Sequence, residues 1–295
     1  MLWFYLALIT AVLWTFEHTI NKHILKTQKP EYVSFVSTTL SCILSVILLF
    51  IFRDKLVFSN KLFLILIPVA LVNASARIFY AKSLKLAEMS KAIPLLALSP
   101  IFTLFFAFFI LGEKPPFTAI FGIIFAVIGI YVLNSKKSSV KDIFEPFKNI
   151  VQNKGIFFMF LVSMIYGLGG VLDKYSVSSS NVITYLLLVN PVSFIVQGLY
   201  LSIKDKKAVF KESKNLLKSN FLFLLLLTFI ALGAITFQFW AVSFTYSSYV
   251  IAIKRTSALF SVVVGYFIFK EKHNIWKTLL GTVITLIGTY FVLFS

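Results

Sequence analysis

Acidic residues are scarce in this chain: 11 Asp and Glu stand against 28 Lys and Arg. Cysteine is scarcer, with Cys42 alone, which excludes an intrachain disulfide and a cysteine-based metal site. Only three histidines occur, His18, His23 and His273. There is no HExxH, no cysteine cluster and no nucleophile elbow. An enzyme would need such a clustered set, so catalysis is the weaker reading and no cofactor or metal is expected. Long polar stretches are missing too. The longest polar connections, 135–154 and 204–219, leave no room for a soluble domain.

What fills the chain is apolar. It is 59% hydrophobic, with 34 Phe and a mean hydropathy of +0.92, far above a soluble average. Ten runs are each about long enough to cross a bilayer, at 3–21, 33–52, 62–82, 90–111, 117–134, 156–174, 182–202, 220–243, 249–269 and 275–294. Period-two alternation is absent, so the runs read as helices rather than barrel strands. The expected fold is an all-α polytopic membrane protein of ten transmembrane helices. The first run lacks a basic flank before it and carries Glu17 and His18 where a cleavage site would lie, so it reads as a retained helix. The 135–154 connection holds Phe144, Phe147 and Ile150 among charges and is expected to lie along the interface as an amphipathic segment.

A net charge of +17 raises the question of nucleic acid. The cations sit in loops instead, where they meet anionic lipid and fix topology, so no nucleic-acid partner is expected. Odd-numbered connections carry 20 of them. Even-numbered ones carry five: Arg53, Lys55, Lys61, Lys114 and Lys174. The remaining three, Arg77, Lys254 and Arg255, lie inside spans. The bias puts odd connections in the cytoplasm and both termini outside.

The two halves echo each other. Trp14 and Lys22 recur as Tyr166 and Lys174 at the same spacing, and Asn21 parallels Asp173. Phe79-Tyr80-Ala81 matches Phe239-Trp240-Ala241, and Ala92 matches Ala252. The 109–114 and 267–272 segments match at Phe109, Ile110, Glu113 and Lys114. Gly122, Gly129 and Tyr131 recur as Gly281, Gly288 and Tyr290. With five spans per half, the second half inserts upside down. Inverted repeats mark alternating-access carriers that hold substrate near the midplane between the halves.

These residues resemble the EamA-type permeases of the drug/metabolite transporter superfamily over essentially the whole chain. The resemblance rests on Leu111-Gly112-Glu113-Lys114, on Lys254-Arg255-Thr256-Ser257 with Gly265-Tyr266 and Phe269 to Lys272, and on the two glycine pairs. Lys270 where the pattern usually has Gly, and Thr15 after Trp14, are departures. The resemblance implies a small-metabolite carrier with two EamA-like repeats, here 1–135 and 155–295, joined by a cytoplasmic linker at 136–154. It names no substrate. The Lys254-Arg255 pair is similar to a basic pair that organic-phosphate members carry on the same helix.

Charges within spans are the candidate site. Each costs about 2.5–3.5 kcal/mol at the bilayer centre, so Glu17, Arg77, Lys254 and Arg255 are expected to face a wet cavity or one another. Asn73, Arg77 and Tyr80 share one face of the third span; Trp14, Glu17, His18 and Asn21 share one face of the first. Lys254, Ser257, Ala258 and Ser261 form a polar stripe, with Tyr166, Gln238 and Trp240 beside it in the expected substrate site. Structural alternatives stand beside each: Lys254 and Arg255 can snorkel to the interface, Glu17 can pair with Arg77 or Lys254, and the aromatics can be packing. Asp173 reads as a helix-end residue. Glu17 with His18 is the acid–imidazole pair expected to sense protons. Cations in excess favour an anionic or zwitterionic small molecule, with amino acids and related acids ahead of phosphates. The partners expected are that substrate, the lipid bilayer and possible proton coupling; a monomer is plausible and the membrane is the plasma membrane. A channel and a membrane-embedded enzyme are the alternatives.

Overall fold

The computed structural model describes residues 1–25, 27–87, 92–134, 152–260, 264 and 275–295. The described residues contain helices and no strand. In chain order these are α1 (Leu2–Leu25), α2 (Pro30–Ile51), α3 (Asn60–Leu86), α4 (Ser99–Leu111), α5 (Phe117–Asn134), α6 (Lys154–Ser178), α7 (Val182–Phe244), α8 (Ser247–Arg255) and α9 (Ile275–Leu293). Among the described residues, six stretches are long and apolar enough to cross a membrane, and three shorter apolar helices accompany them. Large apolar side chains cover the outside, Phe50, Leu64 and Phe117 among them. Such a surface needs lipid rather than water around it.

Local chemistry explains the ends. Ser59 caps α3 by accepting from the Leu62 amide at 3.1 Å, Asn153 caps α6 from Gly155 at 2.9 Å, and Asn181 caps α7 from Thr184 at 2.8 Å. Gly112 ends α4 at φ +67°, a left-handed conformation that glycine adopts without cost.

Two boundaries differ from the sequence-based expectation. Within the fourth predicted span, residues 90–91 lie outside the described ones, a 3-10 stretch at Ile93–Leu98 follows a helical Ala92, and the α-helix runs from Ser99, with Pro94 and Pro100 each near a start. The expected polar connection at 204–219 is helical, because that stretch has neither Gly nor Pro and is rich in helix formers. The chain nevertheless reverses within α7. The Tyr185 and Phe239 rings pack tilted with centroids 4.7 Å apart, whereas a straight helix would separate them by roughly 80 Å. Lys204 pairs with Glu31 at 2.8 Å and Glu212 with Lys29 at 3.6 Å, so the reversal lies between 204 and 212, beside the start of α2. The seventh and eighth predicted spans are therefore distinct passes. Of the ninth, 249–269, the described residues are 249–260, α8 among them, and 264. The interfacial reading of 144–150 and Ser261 of the polar stripe lie outside the described residues.

Packing respects the sequence repeat. α2 lies along the first pass of α7, α5 along α9, α3 along α6, and α1 along the second pass of α7. Repeat mates α2 and the first pass of α7 run antiparallel, since Ser34 meets Gln197 and Ser45 meets Asn190. α5 and α9 do the same through glycine. A Cβ at Gly122 would lie 2.7 Å from the Gly288 carbonyl oxygen, and one at Gly129 would lie 2.7 Å from that of Gly281. Pro191 lies inside the first pass, which stays helical through it, and Asn190 there donates to the Leu186 carbonyl at 3.0 Å and to Ser45 at 2.9 Å.

Glu113 and Lys174 tie the α4–α5 and α7–α8 connections to the end of α6. They form an ion pair at 2.6 Å, with side-chain exposures of 6% and 18%. The carboxylate also accepts from the Ser247 amide at 3.0 Å and hydroxyl at 2.9 Å, capping α8, while Lys174 donates to the Thr245 carbonyl at 2.6 Å. Breaking one side of a buried pair strands the other charge. Glu113→Gln is therefore expected to cost about 3 kcal/mol or more, read as a lowered melting temperature of the detergent-purified protein. An unchanged transition would remove the clamp from the account.

Candidate functional site

Six stretches converge between the halves. α8 brings Lys254 and Arg255, α1 brings Trp14 and Glu17, α3 brings Arg77 and Tyr80, α6 brings Tyr166 and Asp173, and the two passes of α7 bring Tyr185 and Gln238. Their charges and phenols lie within electrostatic range of one another: Arg77 with Tyr166 and Glu17, Tyr80 with Glu17 and Arg255, and Lys254 with Asp173, Arg255 and Glu17.

Lys254 and Arg255 point between helices, each held by side chains of other helices. Lys254 Nζ donates to Gln238 Oε1 at 2.7 Å and sits 4.5 Å over the Trp14 ring. Arg255 Nε donates to Ser99 Oγ at 2.8 Å, and its guanidinium lies 5.5 Å from the Tyr166 centroid. Trp14 and Tyr166 are mates in the repeat, so matched aromatics of the two halves hold neighbouring cations. The indole N–H of Trp14 is buried with no hydrogen-bond partner among the described residues.

The Lys254 contact continues. Gln238 Nε2 faces Asp173 Oδ2 at 3.5 Å, and the Tyr185 hydroxyl donates to Asp173 Oδ1 at 2.6 Å. An amide thus bridges a carboxylate and an ammonium. Asp173 lies five residues inside α6 and belongs to this network, which corrects its reading as a helix-end residue. The available signal was its match to Asn21 across the repeat.

Arg77 makes a second polar group. Nη1 donates to Thr38 Oγ1 and Gln197 Oε1, each at 3.2 Å, and contacts Ser34 Oγ. All three partners are uncharged, and the side chain remains exposed to open space. Sequence reasoning missed Ser34, Thr38 and Gln197, since single hydroxyls or a lone amide in apolar runs carry no pattern.

Glu17 is engaged by its own helix rather than by a direct ion pair with Arg77 or Lys254. His18 Nδ1 approaches its carboxylate at 2.9 Å, and Asn21 Nδ2 donates to it at 3.3 Å. Asn73 faces the Gly169 surface of α6, where its Oδ1 would lie 3.9 Å from an added Cβ. Ser257 is buried, with its carbonyl accepting from Thr15 Oγ1 at 3.2 Å. Trp240 stands apart from this convergence. It is 42% exposed, packs edge-on to Phe237, and lines a shallow groove with Lys55 and Asn181. Phe239, its neighbour, points inward instead, since successive helix residues are turned by about 100° from one another. Among the described residues no cluster of three metal-ligating side chains occurs.

Comparison with known proteins agrees with this architecture. A solved crystal structure superposes with a TM-score of 0.70 over 98% of this chain and 95% of its own, at 10% identity, which shows a shared fold. The curated proteins hold no match. The EamA-like transporter family model matches residues 1–135 and again 153–294. By this two-part match over nearly its whole length, the chain belongs to the EamA-like transporter family, and it is a multi-pass membrane protein.

Proposed function

We propose that this protein is an alternating-access carrier of a small anionic or zwitterionic metabolite, with amino acids and related acids ahead of phosphates. Ten transmembrane helices form two inverted five-helix repeats, joined by a cytoplasmic linker, in the plasma membrane. The observation that carries the reading is the convergence of Arg77, Lys254 and Arg255 between the halves, where Arg77 and Arg255 have only uncharged hydrogen-bond partners among the described contacts. A carboxylate or phosphate supplies what such guanidiniums lack, and can take them bidentately. The free indole N–H of Trp14 offers a further donor. Antiparallel pairing of repeat mates supports the inversion. A thermal-shift screen of metabolites tests the substrate class. Anions or zwitterions should raise the melting temperature by binding the folded state, and stabilisation by cations alone would overturn it.

Orientation has its own test. Lys141 and Lys211 lie in odd-numbered connections, so cysteines placed there should react only after membranes are opened. Labelling of either from outside intact cells would reverse the topology.

Coupling is assigned to Glu17 and His18, which touch at 2.9 Å on one face of α1. Glu17→Gln removes the group that takes up or gives up a proton, so flux driven by a pH gradient should fall to the level without one. Gradient-driven flux that survives unchanged in Glu17→Gln removes this pair from the mechanism.

A further inference from the structure

The charges at the convergence do not cancel. Among the described residues, three cations, Arg77, Lys254 and Arg255, stand against two carboxylates, Glu17 and Asp173. The count takes in the guanidinium, ammonium and carboxylate groups alone. The carboxylates are not equivalent. Glu17 is engaged by His18 and Asn21 of its own helix. Asp173 reaches across the site, because the Gln238 amide connects it to Lys254 with its nitrogen toward the carboxylate and its oxygen toward the ammonium. Tyr185 fixes the other Asp173 oxygen at 2.6 Å. Lys254 is thereby supplied with a resident counter-ion, and one positive charge is left for a ligand.

Charges set between the helices of a membrane bundle are most stable when the loaded state is neutral, since uncompensated charge is expensive away from bulk water. We infer that Asp173, acting on Lys254 through Gln238, is a specificity-determining residue that restricts the cargo to a net charge of minus one. This rests on the anionic reading above and narrows it. A dianion would overfill the site unless Asp173 were neutral, and a net-neutral zwitterion would leave one cation unmatched.

A four-carbon series separates the charges while holding size nearly fixed: succinate, succinamate, 4-aminobutyrate and 4-aminobutanamide. Binding of each to the purified full-length protein is measured by calorimetry at about pH 7.5, above the ordinary imidazole range. Succinamate, the monoanion, should bind best to the native protein. Asp173→Asn keeps the shape and the acceptor for Tyr185 but removes the charge. It should shift the succinate-to-succinamate affinity ratio about tenfold or more toward the dianion, the scale of one charge pair at intermediate dielectric. Asp173→Glu should restore the native ratio. Tyr185→Phe removes a hydrogen bond and no charge, and should lower the melting temperature. Gln238→Leu should weaken the discrimination without altering net charge.

A merely structural Asp173 would weaken all anions together in Asp173→Asn with no change of ratio, and that result overturns the inference while leaving the carrier of anions standing. Strongest native binding of 4-aminobutyrate or succinate also overturns the inference alone. Strongest binding of 4-aminobutanamide, or binding of none of the four, overturns it together with the anionic reading of the site.

Discussion

Replacing Gly122 with leucine is expected to abolish the folded protein. A Cβ at that position would lie 2.7 Å from the Gly288 carbonyl oxygen and 2.9 Å from Phe291 Cβ. The first obstacle is backbone, which cannot move aside as a flexible side-chain tip can. Overpacking of ordinary cores costs about 1–3 kcal/mol, and a backbone clash between two helices belongs at or beyond the upper end. The arrangement is reciprocal. Gly122 faces Gly288, and Gly129 faces Gly281, so each glycine meets the repeat mate of the other pair's member. Small residues at a membrane helix interface let backbones approach closely, which is where packing energy arises in lipid. Gly233→Ala is the control, because a Cβ there would meet only Leu13 Cδ1, at 3.6 Å. Size-exclusion chromatography and thermal melting in detergent should show an intact Gly233→Ala and a collapsed Gly122→Leu. A Gly122→Leu protein that elutes and melts like the native one would contradict the packing described for α5 and α9.

Arg255→Gln should weaken binding of an anionic ligand by about thirtyfold or more, corresponding to roughly 2 kcal/mol or more for truncating one side of a buried charge contact. Its guanidinium has Ser99 and the Tyr166 ring as neighbours, so the ligand supplies its counter-charge. Lys254→Gln should act in the same direction but less strongly, since Asp173 already compensates Lys254 through Gln238. Stability is expected to move the other way in Arg255→Gln. Removing a partly buried cation with uncharged partners relieves desolvation, so the empty variant should melt at or above the native temperature. Affinity measured in parallel for anionic and cationic ligands decides the matter. Unchanged anion affinity in both variants, or a native preference for cations, would overturn the site.

The fold was legible because a bilayer demands long apolar helices, and those are periodic and hard to disguise. The antiparallel mates could be read from Gly122, Gly129, Gly281 and Gly288, whose spacing recurs in both halves. The helical course through 204–219 was not, because a polar stretch between two spans reads as a loop even when its residues favour helix. Within the site, charges in spans stood out by their cost, which is why Arg77, Lys254 and Arg255 were visible. Their partners were not. Ser34, Thr38, Ser99 and Gln197 are uncharged and sit on helices remote in sequence, and only the packing brings them within 3.5 Å. Asp173 was misread because its distance from the helix end was judged without knowing that Tyr185 and Gln238 cross it. Trp240 failed for the opposite reason: a conspicuous residue type on an apolar helix says nothing about which side faces inward.

Counterflow in proteoliposomes tests the central claim most directly. Vesicles holding purified protein are loaded with an unlabelled anionic or zwitterionic metabolite chosen by thermal shift, then diluted into the labelled one. An alternating-access carrier exchanges one for the other, so label should accumulate transiently above its external concentration and the initial rate should saturate. Flux that rises in proportion to concentration at channel rates, with no accumulation against the label's gradient, would contradict the carrier account.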